Sequence, residues 1–194
     1  ALGWKQTLEI TLVSPDRVKL KYFGFDQQSG TIPSTIVNQV MLVMDENVRV
    51  LKNFKEQGFT ASFQLELYKY WLRIKGDRRL PARSDIIIEE LTHYLSSIML
   101  LDYNPENSLF TFRVIGTSCV KLYGELTDRN MNDFEMHKPA IDRLLWCVKN
   151  QKPYYAVKNL SNIDKDYVKT SFIVLPLSDD GEAVNKILVS HHFY

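Results

Sequence analysis

The sequence predicts an α+β domain. Its centre is a five-stranded antiparallel sheet with helices clustered on one face, preceded by an N-terminal hairpin and an amphipathic helix. Three observations carry this. The apolar period changes from steps of three and four to steps of two near residue 97. The turn signals NPEN (104–107) and SDDG (178–181) each join two alternating segments. Beyond residue 97 only one long helical stripe, 138–150, interrupts the strands. Strands that pair through short turns build an antiparallel sheet, and a sheet apolar on one face needs a helical cover.

In order along the chain, TLEITLV (7–13) and VKLKYFGF (18–25) alternate around Ser-Pro-Asp, a reversal signal, and predict a hairpin. GTIPS (30–34) breaks the pattern. After it Val37, Val40, Met41, Met44, Val48, Leu51 and Phe54 recur at helical steps, which predicts an amphipathic helix over 35–54 that stops near Gly58. The next helix covers Phe63 to Ile74, with Leu65, Tyr68, Trp71 and Leu72 on its packed face. Gly76 ends it, and Pro81 prevents a restart. IIIEELTHYL (86–95) reads as a short helix capped by Ser84 or Asp85. SIMLLDY (97–103) and SLFTFRVI (108–115) form a hairpin. Short helical pieces at 117–124 and 129–134 flank Gly124. Lys138 to Asn150 is a longer helix with a stripe of Ile141, Leu144, Leu145 and Val148. PYYAVKNL (153–160), YVKTSFIVLPL (167–177) and AVNKILVSHHF (183–193) complete the strands. This divides the chain into an extension, 1–60, with a role in dimerisation, and a domain, 61–194.

Composition excludes several classes. At 194 residues, 45% hydrophobic and 24% charged, the chain is long enough for one buried core and too apolar for wholesale disorder. A net charge of +1 argues against a dedicated nucleic-acid coat. Two cysteines without CxxC spacing fit a thiol-bearing cytoplasmic protein better than a disulfide scaffold. ALGWKQTLEI shows no signal peptide, and the longest apolar runs are too short to cross a membrane.

Four blocks carry a resemblance: LYKYWLRIKGDRRLPARSDI, IMLLDY, FRVIGTSCVKLYGELTDRNMNDF and FIVLPLSDDGEAVNKIL. Together they resemble a bacterial family of stand-alone PAS proteins, over roughly 63–190. Tyr68, Trp71, Pro81, Arg113, Gly116, Thr117, Gly124, Pro176, Leu177 and Gly181 match its pattern. The resemblance implies a PAS-like fold and a regulatory role, with a small ligand or a protein as partner and no catalytic motif. The chain departs from the pattern after Gly124, where Asp128-Arg129 stands in place of a second glycine, in a loop that commonly borders the ligand cavity.

Each group with chemical potential has a plainer rival. Lys69, Arg73, Lys75, Arg78, Arg79 and Arg83 crowd one stretch with aromatics. A solvated helix face pairing with carboxylates such as Glu89 and Glu90 outweighs an anion or partner contact, and both outweigh nucleic acid. Cys119 and Cys147 sit among apolar residues without a neighbouring base, so core packing is favoured over thiol chemistry. His191 and His192 are adjacent on a strand and point to opposite faces, which disfavours chelation of one ion. His137, at the start of the long helix, is the one histidine placed for haem in a PAS fold, against an ordinary capping or surface role. Arg113 interrupts an apolar strand; pairing with a carboxylate on a neighbouring strand is favoured over anchoring an anionic ligand or partner.

The expectation is therefore a non-catalytic sensor or adaptor with an apolar pocket lined by Phe112, Val114, Cys119, Tyr123, Phe134, Trp146 and Tyr155. The loop Gly124–Asn132 would shift on ligand entry. Arg78, Arg79 and Arg113 are the candidate anion or partner contacts. A protein partner or homodimer is expected, with neither nucleic acid nor membrane, and no cofactor is specified. The rivals are a ligand-free interaction module and, last, a small enzyme.

Overall fold

The computed structural model describes residues 7–14, 17–23, 48–52, 54–134, 137–160 and 168–194. The strands are β1 (Thr7–Ser14), β2 (Arg17–Phe23), β3 (Val48–Leu51), β4 (Ile98–Asn104), β5 (Leu109–Ile115), β6 (Tyr154–Leu160), β7 (Val168–Leu177) and β8 (Lys186–Phe193). The helices are α1 (Ser62–Lys75), α2 (Thr117–Tyr123) and α3 (Lys138–Asn150). β1 and β2 pair antiparallel from Thr7↔Phe23 to Ser14↔Arg17, as the Ser-Pro-Asp reversal predicts, and form a two-stranded sheet.

The main sheet has six strands in the order β3-β6-β7-β8-β4-β5, every neighbouring pair antiparallel. The predicted α+β class and antiparallel sheet are what the chain adopts. The sixth strand comes from the stretch read as the end of an amphipathic helix. Val48–Leu51 instead pairs with β6 along Val48↔Lys158 to Leu51↔Tyr155. The sequence VRVL alternates and carries two β-branched residues, so an open sheet edge competes well with a helix there. Residues 35–47 of that predicted helix lie outside the described residues.

Both faces of the sheet are covered. Successive strand residues point to opposite faces, so Tyr154 and Tyr155 report on different sides. Tyr154 meets Trp146 of α3 at 6.3 Å between ring centroids. Tyr155 turns toward α1 and receives the Thr60 backbone N–H on its hydroxyl at 2.9 Å. The one-sided helical layer expected for the domain is α2 and α3; α1 closes the other face.

The buried side of α1 is Gln64, Leu67, Tyr70 and Trp71, and Leu72 is exposed. The apolar stripe predicted there thus rotates by one position to admit a buried glutamine. Gln64 Nε2 donates to the carbonyls of Ser171 (3.1 Å) and Ser190 (3.0 Å), and its Oε1 accepts from Ser171 Oγ at 2.9 Å. Trp71 Nε1 donates to Pro176 O at 3.0 Å, which fixes the far end of α1 on β7. Burying the indole and Leu67 stabilises the contact by about 2–3 kcal/mol for each side chain. Gly76 stops the helix at φ 54, with its N–H on Leu72 O.

The short helix expected over 86–95 is instead a series of 3-10 turns at Arg83–Asp85, Ile88–Leu91 and Leu95–Ser97. Three consecutive β-branched isoleucines disfavour an α-helical start. The Ile87 N–H is committed to the Tyr70 hydroxyl at 2.8 Å rather than to a helical carbonyl. Similarly, the piece expected at 129–134 is a single turn, Met131–Asp133. The core is continuous from α1 through β7 and β8 to α3, with Leu67, Ile173, Leu175, Ile187 and Cys147 wholly buried.

Candidate functional site

The inner face, between the sheet and the α2–α3 layer, gathers the rings. On β7 and β8, alternation places Thr170, Phe172 and Val174 beside Phe193, His191 and Val189 on this face. The His191 ring lies nearly parallel to Phe172 (5.4 Å, 25°) and to Phe193 (5.7 Å, 19°), and edge-on to Tyr123 of α2 at 5.7 Å. His137, at the N-terminal end of α3, is packed against Phe112 of β5 (5.9 Å) and Phe134 (5.5 Å). It stands at the N-cap position of α3, as one of the sequence readings has it, but makes no side-chain capping bond and is half-buried against these rings rather than free on the surface.

Burial sets the electrostatics of this face. Both His137 and His191 are pushed down to about 4 by desolvation, and the Lys158 ammonium on β6 acts on both in the same direction. They are neutral imidazoles at physiological pH. The thiols of Cys119 and Cys147 are fully buried and pushed up to about 12, so neither supplies a thiolate. Burial likewise raises the phenols of Tyr123 and Tyr154 far above their ordinary range. The imidazoles, thiols and phenols described on this face are thus neutral at physiological pH.

The wall opposite β5 is the loop after α2. Gly124 caps that helix at φ 82. Asp128, standing where the family pattern often has glycine, takes the left-handed conformation at φ 61, which aspartate tolerates better than most residues. Its N–H donates to Phe112 O at 2.7 Å, and the Phe112 N–H donates to Arg129 O at 3.0 Å. Asn130 and Asn132 add side-chain contacts to Thr111 Oγ1 (2.9 Å) and Phe110 N (3.3 Å). The wall is thus held to the sheet edge by a handful of hydrogen bonds and one 3-10 turn.

Of the seven predicted lining residues, Phe112, Cys119, Tyr123 and Phe134 gather on this inner side. Trp146 lies at its β6 margin, edge-on to Tyr154 and covered by Lys52 Nζ at 4.5 Å. Two are elsewhere. Tyr155 faces α1, as described. Val114 is 49% exposed, because a bulge between Leu100 and Leu101 pairs Val114 with Leu100 and Phe112 with Leu101. The extra residue, Arg113, breaks the alternation that put Phe112 and Val114 on one face.

The arginines are mostly engaged. Arg113 meets Asp128 at 3.2 Å and Asp102 of neighbouring β4 at 3.8 Å, the carboxylate pairing favoured from sequence. Arg78 pairs with Asp85 at 2.7 Å, Lys69 with Glu56 at 3.0 Å, and Arg73 with Glu90. Arg79 is exposed on the turn after α1. These pairs are solvent-facing and each contributes at most about 1 kcal/mol. With Trp71 buried and Tyr68 stacked on it at 6.3 Å, the basic stretch offers no aromatic platform for bases.

Sequence reasoning missed Lys158, Thr170, Phe172 and His191 as neighbours on one face. The alternations T-S-F at 170–172 and H-H-F at 191–193 carry that signal, once β7 and β8 are paired. His192 does point the other way, toward Phe63 at 5.5 Å. Among the described residues no group of three or more His, Cys, Asp or Glu is placed to hold a metal ion. Among them, too, no helix is long and apolar enough to cross a membrane.

Comparison with known proteins agrees with the architecture. No curated protein matches the chain. A family profile described as PAS domain matches residues 59–190, which contain α1 to α3, β4 to β7 and the first part of β8. An antiparallel sheet with a short-helix wall and a long helix over its inner face, matched by that profile over two thirds of the sequence, places the chain in the PAS domain family, whose role is sensory and regulatory.

Proposed function

We propose that this protein is a non-catalytic PAS sensor that holds a small ligand between the inner face of its sheet and the α2–α3 layer. The observation that carries the reading is the inner-face cluster of neutral, buried and half-buried rings: His137 against Phe112 and Phe134, and His191 between Phe172, Phe193 and Tyr123. A largely apolar face of that kind recognises an apolar or aromatic body by shape, with a few polar groups fixing its orientation. The loop 124–132, tied to β5 by few bonds, is the part of the wall that responds to occupancy. The signal leaves by protein–protein contact, because a ligand changes output only through its different affinity for two states.

A ligand at about 100 times its dissociation constant stabilises the folded state by about 2.7 kcal/mol. For a chain of this size that is a rise in Tm of roughly 5–10 °C. Native mass spectrometry of freshly purified protein, followed by thermal shift against organic acids, nucleotides and haem, is expected to show a retained mass or a shift of that size. No retained mass and flat shifts throughout would defeat the ligand reading.

A second reading, an interaction module without ligand, is favoured by one observation. Leu72, Ile87, Ile88 and Leu95 are 37–50% exposed along α1 and the turns beside it. A partner or second copy of the chain covering that apolar strip is weakened by Leu72→Glu or Ile88→Glu, whereas ligand shifts are unaffected by either.

A further inference from the structure

The polar atoms that the ring cluster leaves unanswered lie on one part of the inner face. Thr170 is 1% exposed, yet its Oγ1 has no hydrogen-bond partner among the described residues. His191 Nδ1 is also buried and without a partner among them. The register places these groups together. Thr170 is directly opposite Lys158 on β6 and Phe193 on β8, and His191 is one step along β8 from Phe193 on the same face. A buried polar group without a partner costs about 1–3 kcal/mol, which a polar group placed beside it removes. On the opposite face Gln64 makes a full set of bonds, while Ser190 Oγ and His192 Nδ1 there also have no partner among the described residues.

We infer that Lys158, Thr170 and His191 form a subsite for the carboxylate of a small acid whose apolar or aromatic body lies against Phe172, Phe193 and Tyr123. The inference rests on the ligand-sensing reading above and names the class of molecule. A carboxylate accepts from a hydroxyl and from an imidazole N–H, and it is drawn by an ammonium; the three groups supply one of each. A neutral alcohol of the same shape meets the hydroxyl and the imidazole but gains nothing from the field of Lys158. Only that field is required there. Desolvation first, and this field second, lowers the proton affinity of both His137 and His191. An anion bound beside them reverses that effect.

The test is isothermal titration of the full chain with benzoate, phenylacetate and octanoate, each set against the alcohol of matching length. At least one acid is expected to bind about tenfold or more tightly than its alcohol, the worth of a charge-assisted hydrogen bond in a buried site. Lys158→Met, close in volume to the residue it replaces, is expected to remove about tenfold for the acid and to leave the alcohol nearly unchanged, whereas Thr170→Val removes a hydroxyl that both meet and is expected to weaken both. If acids and alcohols bind equally, or Lys158→Met weakens both alike, the carboxylate subsite is refuted while the sensor reading stands. If none of the six compounds binds, and a crystal structure shows only a water bridging Thr170 and His191, the subsite is refuted. If that protein also carries no copurified ligand, the sensor reading is refuted with it.

Discussion

Acidification between pH 7 and pH 5 is expected to destabilise this protein through two interior imidazoles. His137 and His191 titrate at 6.5 when exposed and at about 4 in the fold, the first cause in both being desolvation. Between those values the unfolded chain binds more protons than the folded one, so stability rises with pH. The contribution is complete above the unfolded value, is lost as pH falls through 6.5, and stops falling below about 4. Integrating the two titration curves from pH 7 to pH 5 gives a loss of about 2 kcal/mol for each histidine. The depressed carboxylates Asp85, Asp179 and Asp180 act with the same sign, but only below their ordinary 3.8 and so outside this window. His192, also lowered by burial, adds in the same direction. Urea unfolding followed by tryptophan fluorescence is the assay. With a slope of about 2–3 kcal/mol/M, the midpoint is expected to fall by roughly 1–2 M between the two pH values. His191→Gln is expected to remove about half of that pH dependence, whatever it does to stability at pH 7. A midpoint that does not move with pH, or the same pH dependence in His191→Gln, would refute the desolvation of these rings by the fold.

Two further outcomes test the packing around that interior. Gln64→Leu preserves volume but leaves the Ser171 hydroxyl and two carbonyls without its amide. It is expected to cost about 2–3 kcal/mol in chemical denaturation, and a neutral result would show that the buried network contributes little. Gly116→Ala places a Cβ 2.3 Å from Leu95 O and 2.4 Å from Ser96 O, both rigid backbone atoms. A loss of about 3 kcal/mol or more, or failure to fold, is expected, whereas Gly58→Ala, with nothing within 4 Å, is expected to be nearly neutral in thermal melts.

The sequence by itself determined the order of the elements from α1 to β8, because that information is local. Period-two alternation, Asn-Pro and Asp-Gly turns, Gly76 after α1 and Gly124 after α2 each act within a few residues of where they stand. It also determined that Cys119, Cys147 and Trp71 are interior and that Arg113 pairs with a carboxylate, since burial of apolar groups and pairing of charges follow from residue type. What only the tertiary structure decided is which groups share a face. The fate of Val48–Leu51 depended on a free edge of β6, more than a hundred residues away in sequence. The displacement of Val114 depended on a bulge set by pairing with β4. Helical rotation alone does not show that Gln64 is buried, because its acceptors and donors come from β6, β7 and β8. The same holds for Lys158, Thr170 and His191. On three separate strands they are ordinary polar residues, and only the register of those strands lines them up beneath the α2–α3 layer. Local sequence sets the backbone's preferences, and long-range pairing sets which side chains meet.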